Sequence, residues 1–118
     1  MDSRVERTIA AMQAQLNHRL TIAELAREAG LSVAHLTRLF RVDTGTTPAA
    51  FLRGLRMQRA RLLVEQTSLP LAEVMAQVGV SDRSHFARNF RRSHGFSPRM
   101  LRMQLHLSAQ RRLGSNSG

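Results

Sequence analysis

The chain states one pattern twice. TIAELAREAGLS at residues 21–32 returns as PLAEVMAQVGVS at 70–81, with Ala23, Glu24, Gly30 and Ser32 recurring as Ala72, Glu73, Gly79 and Ser81. One residue is then added, and HLTRLFRVDTGTTP at 35–48 returns as HFARNFRRSHGFSP at 85–98. In this second block Leu36 pairs with Phe86, Arg38 with Arg88, Phe40 with Phe90, Arg41 with Arg91, Gly45 with Gly95 and Pro48 with Pro98. A solenoid needs at least three stacked repeats to bury a continuous core. Two copies therefore point to one supersecondary unit used twice.

Local chemistry identifies the unit. Thr21 followed by Glu24 forms a capping box that opens a short helix from Ile22 to Ala29. Leu25, Ala26 and Ala29 make its apolar face, and Gly30 ends it by allowing a left-handed backbone. Ser32 caps a second helix that runs to Thr44, Gly45 stops it, and Thr47-Pro48 starts the next. Helix, glycine turn and helix make a helix-turn-helix. The second copy repeats the plan from Leu71 to Ser93, with Ser81 standing where Ser32 stood. Two differences mark it: Pro70 offers no capping hydroxyl, and Met75 replaces the small Ala26, which predicts a slightly wider helix approach.

Arg4 to Asn17, Pro48 to Gln66 and Pro98 to Leu107 read as the remaining helices. The middle one, some 19 residues, is roughly 28 Å long. No alternating β-branched run exists, so the expected fold is all-α, with two helix-turn-helix subdomains joined by a long central helix. The expected domain covers 1–107, with its first helix-turn-helix at 21–45, the linking helix at 48–66 and the second helix-turn-helix at 70–95. The tail 108–118, ending GSNSG, reads as disordered.

Charge narrows the partner. The 118 residues carry a net charge of +10, and all 18 basic residues are Arg. Residues 1–52 hold six Arg against five acids, whereas 53–118 hold twelve against three. Planar guanidinium forks suit phosphate and guanine, which they grip through paired hydrogen bonds. Nucleic acid is the partner that this chemistry favours. With no cysteine there is no disulfide, thiolate nucleophile or Cys-based zinc site, and the five His are scattered without metal-ligand spacing. No catalytic constellation, phosphate loop, cofactor site or membrane span is legible, so a soluble, cytoplasmic, non-enzymatic protein is expected.

A helical wheel divides the second helix of each copy into two jobs. Leu36, Leu39 and Phe40 face inward in the first; Ala34, Thr37, Arg38 and Arg41 share the opposite arc. Phe86 and Phe90 face inward in the second, against Ser84, Ala87, Arg88 and Arg91. Small residues let such a helix sink into a major groove, Thr offers a hydroxyl or a methyl, and Arg reaches guanine O6 and N7. Arg83 and His85 lie near the start of the second such helix, where base edges are met. Ser32 and Ser81 place helix N-termini near phosphates. A stiff linking helix would hold the two reading helices about one DNA turn apart, roughly 34 Å. One chain, its halves related but unequal, would then bind an asymmetric site as a monomer.

The stretch from Gly45 to Pro98 resembles the DNA-binding domain of the AraC/XylS family of bacterial transcription regulators, and the likeness runs from about residue 5 to 105. Arg56, the Ala60-Arg61 pair, the Val78-Gly79 turn, Phe86, Phe90 and Gly95-Phe96-Ser97-Pro98 carry it. Val80, Met75 and Leu101 depart from it, standing where the family usually has Phe, a small residue and an aromatic. The resemblance implies seven helices and insertion of both recognition helices into successive major grooves on one face of double-stranded DNA. By position, Ala34, Thr37 and Arg38 would read one half of the site, and Arg83, Ser84 and Arg88 the other. It also implies activation of transcription, contact with RNA polymerase, and a separate ligand-sensing or dimerisation domain in larger relatives. The rival readings are a basic RNA-binding module and one docking an acidic protein partner or membrane surface, without base readout. Four of the five Phe fall at capping or core positions and Phe51 starts the linking helix, leaving no stacking platform for unpaired bases.

Overall fold

Asp2 opens the first helix of the computed structural model, which describes residues 1–116. Its carboxylate accepts from the Arg4 backbone N–H at 2.8 Å and pairs with the Arg4 guanidinium at 2.9 Å. That guanidinium and the backbone bond hold the Asp2 carboxyl at about 2, below its ordinary 3.8. Seven helices follow in order, with no strand among the described residues: α1 Ser3–Ala14, α2 Ile22–Glu28, α3 Val33–Thr44, α4 Pro48–Gln66, α5 Leu71–Gln77, α6 Arg83–His94 and α7 Pro98–Asn116.

The punctuation of the first copy behaves as its residues dictate. Thr21 Oγ1 accepts from the Glu24 N–H at 3.1 Å, and Ser32 Oγ from that of His35 at 3.1 Å. Gly45 closes α3 in the left-handed region at φ 80°. In the second copy Pro70 makes no side-chain cap, as expected. The cap of α6 is a correction: Asp82, the residue added between the two blocks, takes the role expected of Ser81. Its Oδ1 accepts from the His85 N–H at 2.8 Å. A carboxylate is the stronger acceptor at a helix start, because it also meets the positive end of the helix dipole.

Two other ends differ from expectation. Helix α1 stops at Ala14 instead of running to Asn17, and Gln15 bonds back to the Met12 carbonyl. Beyond it the His18 carbonyl accepts from Arg56 Nη2 at 3.0 Å, while Leu16 and Leu20 turn onto the core. Helix α7 continues through Ser108 to Asn116, where the sequence suggested a stop near Leu107 and a disordered tail. Ser108-Ala109-Gln110-Arg111-Arg112-Leu113 contains neither proline nor glycine and includes strong helix formers, so nothing local ends the helix there. Residues 117–118 of the expected tail lie outside the described residues.

The chain divides into two units, Met1–Arg56 and Met57 onward, and the boundary falls inside α4. In the first unit Val5, Met12, Leu25, Ala26, Leu36, Phe40 and Leu52 form the buried core, with the Phe40 and Phe51 rings edge to face at 5.7 Å. In the second the core comprises Met57, Ala60, Leu63, Val64, Val74, Met75, Val78, Phe86, Phe90 and Leu101. Met75, like its counterpart Ala26 in the first core, is buried, at 6% exposure. An open depression of about 330 Å³ beside it is walled by Ala72, Met75, Ala76, Val80, Ser81 and Arg83. His94 rests against the Phe90 ring at 4.6 Å, and its Nε2 lies 3.0 Å from the Met57 carbonyl.

Candidate nucleic-acid interface

Helix α3 turns one side inward through Leu36 and Phe40, both fully buried. The 3.6-residue period then carries Ala34, Arg38 and Arg41 to the surface, where all three are exposed. Thr37 lies half-buried among them and donates its hydroxyl to the Val33 carbonyl at 2.8 Å. Its hydrogen is thus engaged, which leaves an oxygen lone pair and the methyl group for an outside contact. His35 is half-buried, at the edge of the core.

Helix α6 has the same division. Phe86, Asn89 and Phe90 are buried, while Arg83, Ser84, His85, Arg88 and Arg91 are exposed and Ala87 is half-buried. The expected reading residues therefore share an outward face within each unit. Ser32 and Ser81 are also exposed, but Ser81 precedes the Asp82 cap by one residue. A carboxylate at that helix start meets a phosphate with repulsion, so the first turn of α6 is better suited to base edges than to backbone.

The arginines differ in what they bind. Some are engaged by other residues of the chain. Arg4 is paired with Asp2, Arg61 with Glu65 at 2.7 Å, and the Arg61 guanidinium lies 5.3 Å from the Phe96 ring centre. Arg56 bonds the His18 carbonyl, leaves its buried Nε unpartnered, and is pulled below the ordinary arginine value by desolvation. Arg102 donates to the Thr67 carbonyl at 3.4 Å. The guanidinium groups of Arg38, Arg41, Arg83, Arg88 and Arg91 have no hydrogen bond or ion pair to any described residue, and the same is true of exposed Arg19, Arg27, Arg53, Arg59, Arg92 and Arg99. On the outer arcs of α3 and α6 the unpaired, exposed guanidinium groups stand beside small residues, a surface suited to an anion with hydrogen-bonding edges.

Two surface residues belong with these arcs although their sequence pattern did not single them out. Arg92 is exposed in the last turn of α6, one turn beyond Arg88, and Val42 is 82% exposed on α3, one turn beyond Arg38. The spacing of both is a signal the sequence carries; Val42 is masked because an apolar residue reads as core. Among the described residues no group of three or more His, Cys, Asp or Glu could hold a metal, and no helix is long and apolar enough to cross a membrane.

Comparison with known proteins follows the same geometry. The family described as "Helix-turn-helix domain" matches residues 25–104. The HTH-type transcriptional regulator CdhR of Pseudomonas aeruginosa is 37% identical over 101 residues, 86% of this chain and 30% of that protein. The HTH-type transcriptional activator RhaS of Escherichia fergusonii is 30% identical over 109 residues, 92% of this chain and 39% of that protein. The chain thus spans well under half the length of these curated relatives. Among solved structures, an AraC-type regulator from Chromobacterium violaceum matches with a TM-score of 0.80 at 30% identity, covering 87% of this chain and 92% of that one. The DNA-binding domain of the global transcriptional factor AdpA, solved in complex with a target DNA, matches with a TM-score of 0.84 at 26% identity, covering 89% and 95%.

Proposed function

We propose, from the premise that this chain belongs to the AraC/XylS family of helix-turn-helix regulators, that it binds double-stranded DNA sequence-specifically and regulates transcription. The observation that carries the reading is the pair Arg38 and Arg88. They hold the same place in the two copies, both are exposed, and neither guanidinium is bonded to any described residue. A solved relative in complex with its target DNA supports the choice of duplex over RNA or an acidic protein. The unequal halves suit an asymmetric site bound by a monomer of this chain.

Ala34, Thr37 and Arg38 read one half-site, and Arg83, Ser84, His85 and Arg88 the other, in successive major grooves on one DNA face. Arg41 and Arg91 grip phosphates, as does Ser32 more weakly; Ser81, beside the Asp82 carboxylate, does not. The chain works in the bacterial cytoplasm as the DNA-binding part of a longer regulator, an activator that contacts RNA polymerase.

Selection of bound fragments from a random duplex library tests this. The expected result is a two-block motif with block centres about 10–10.5 base pairs apart. Arg38→Ala should relax one block, chiefly at a guanine, and Arg88→Ala the other. Absence of any enriched sequence, or equal loss on every duplex in both variants, would overturn base reading.

A further inference from the structure

Asn89 sits where a hydrocarbon is expected. Its counterpart in the first copy is Leu39, on the inward side of α3, yet Asn89 is only 9% exposed. A buried amide loses its hydration and is tolerated only when hydrogen-bonded. Its Nδ2 lies 3.0 Å from Nε2 of His85, one turn earlier on α6. An amide nitrogen has two hydrogens and no free lone pair to offer, so in this bond Nε2 must be the acceptor. The neutral ring then carries its hydrogen on Nδ1.

His85 is constrained a second time through its backbone N–H, which donates to Asp82 Oδ1 at 2.8 Å. The ring itself is exposed, and Asn89 is its side chain's one hydrogen-bond partner among the described residues. Nδ1–H is therefore the only ring N–H available to an outside partner. The first copy has no such device: Leu39 cannot bond, and His35 is half-buried.

We infer that Asn89 is a positioning residue that fixes the tautomer and pose of His85, so that α6 offers a single N–H donor to a purine edge, at N7 or guanine O6. The inference deepens the DNA-reading proposal and rests on it. One donor at a fixed place selects acceptors over the donor-bearing cytosine edge and adds what the arginines of the arc do not, a rigid short-range contact.

Ring nitrogen resonances of His85 in the isotope-labelled free chain give the first measurement, independent of DNA. Protonated Nδ1 and bare Nε2 are expected, and Asn89→Leu should release the ring to the Nε2–H form that imidazole prefers. Leucine is chosen because the first copy carries it at this position, and melting of the variant should be unchanged or raised. A purely structural role for Asn89 would instead lower the melting temperature and leave base preference alone. Against duplexes varied at each position, Asn89→Leu and His85→Ala should each lower purine preference at one shared position roughly two- to tenfold. The double variant should lose no more than either alone. A wild-type ring protonated on Nε2, or full purine preference in Asn89→Leu, would overturn the inference. If the wild type prefers no sequence at all, the DNA-reading proposal fails and the role of His85 with it. The ring spectra still decide whether Asn89 sets the tautomer.

Discussion

Replacing Arg41 and Arg91 together by Ala separates electrostatic grip from sequence reading. Both residues lie in the last turn of their helices, α3 and α6, and neither guanidinium is bonded to any described residue. Their loss removes no hydrogen bond and opens no cavity. What the fold does lose is cationic charge at two helix C-termini, about 0.3–1 kcal/mol each at low salt. The higher helix propensity of Ala returns a few tenths at each site. The net destabilisation is about 0.5 kcal/mol in each unit, which lowers its melting by about 2–4 °C.

On DNA the effect is larger and of a different kind. Each neutralised phosphate contributes about 0.9 to the slope of log affinity against log salt, so losing two contacts flattens it by about 1.8. Between 50 and 200 mM salt the wild type should weaken about twelvefold more than the double variant. Fluorescence anisotropy titrations at four salt concentrations, on the selected site and on a scrambled duplex, measure this. The same change of slope is expected on both. An unchanged slope, or a loss confined to the selected site, would refute the assignment of these arginines to phosphate.

Phe90→Ala empties a fully buried position in the second core and should cost about 3–5 kcal/mol, visible in urea denaturation as early loss of helical signal. Two glycines should respond with opposite signs to alanine, since neither has an atom within 4 Å of an added Cβ. Gly54→Ala, inside α4, should raise stability by about 0.5–1 kcal/mol. Gly95→Ala, at φ 84°, should lower it by about 1–2 kcal/mol. The Asp2 carboxyl, held down to about 2 by Arg4, contributes stability that is full above its ordinary 3.8 and vanishes as pH falls through 2. Carboxyl-carbon titration should place its midpoint near 2, and Arg4→Ala should return it toward 3.8.

Features governed by near neighbours are legible from residues alone. Thr21, Ser32, Gly45 and Pro48 carry their own backbone chemistry, so helix boundaries in the first copy follow from a few positions at a time. The outward arcs are legible too, because the helical period is fixed. Ser81 misleads because it matches Ser32 by identity, while the inserted Asp82 holds the better cap. Beyond the early end of α1 the His18 carbonyl accepts from Arg56, a contact across 38 residues that no local pattern encodes. The length of α7 is obscured by composition: Gly, Ser and Asn at the very end suggest disorder back to Ser108. Asn89 is invisible as a special residue until its burial shows that a polar group sits on the inner side.

Helices α3 and α6 both begin on caps supplied by the chain, Ser32 and Asp82, and close on left-handed glycines, Gly45 and Gly95. No part of either helix has to fold when the duplex arrives. Association then has the thermodynamics of two preformed surfaces meeting. Its heat-capacity change follows the contact area alone, without the much greater decrease that accompanies folding coupled to binding.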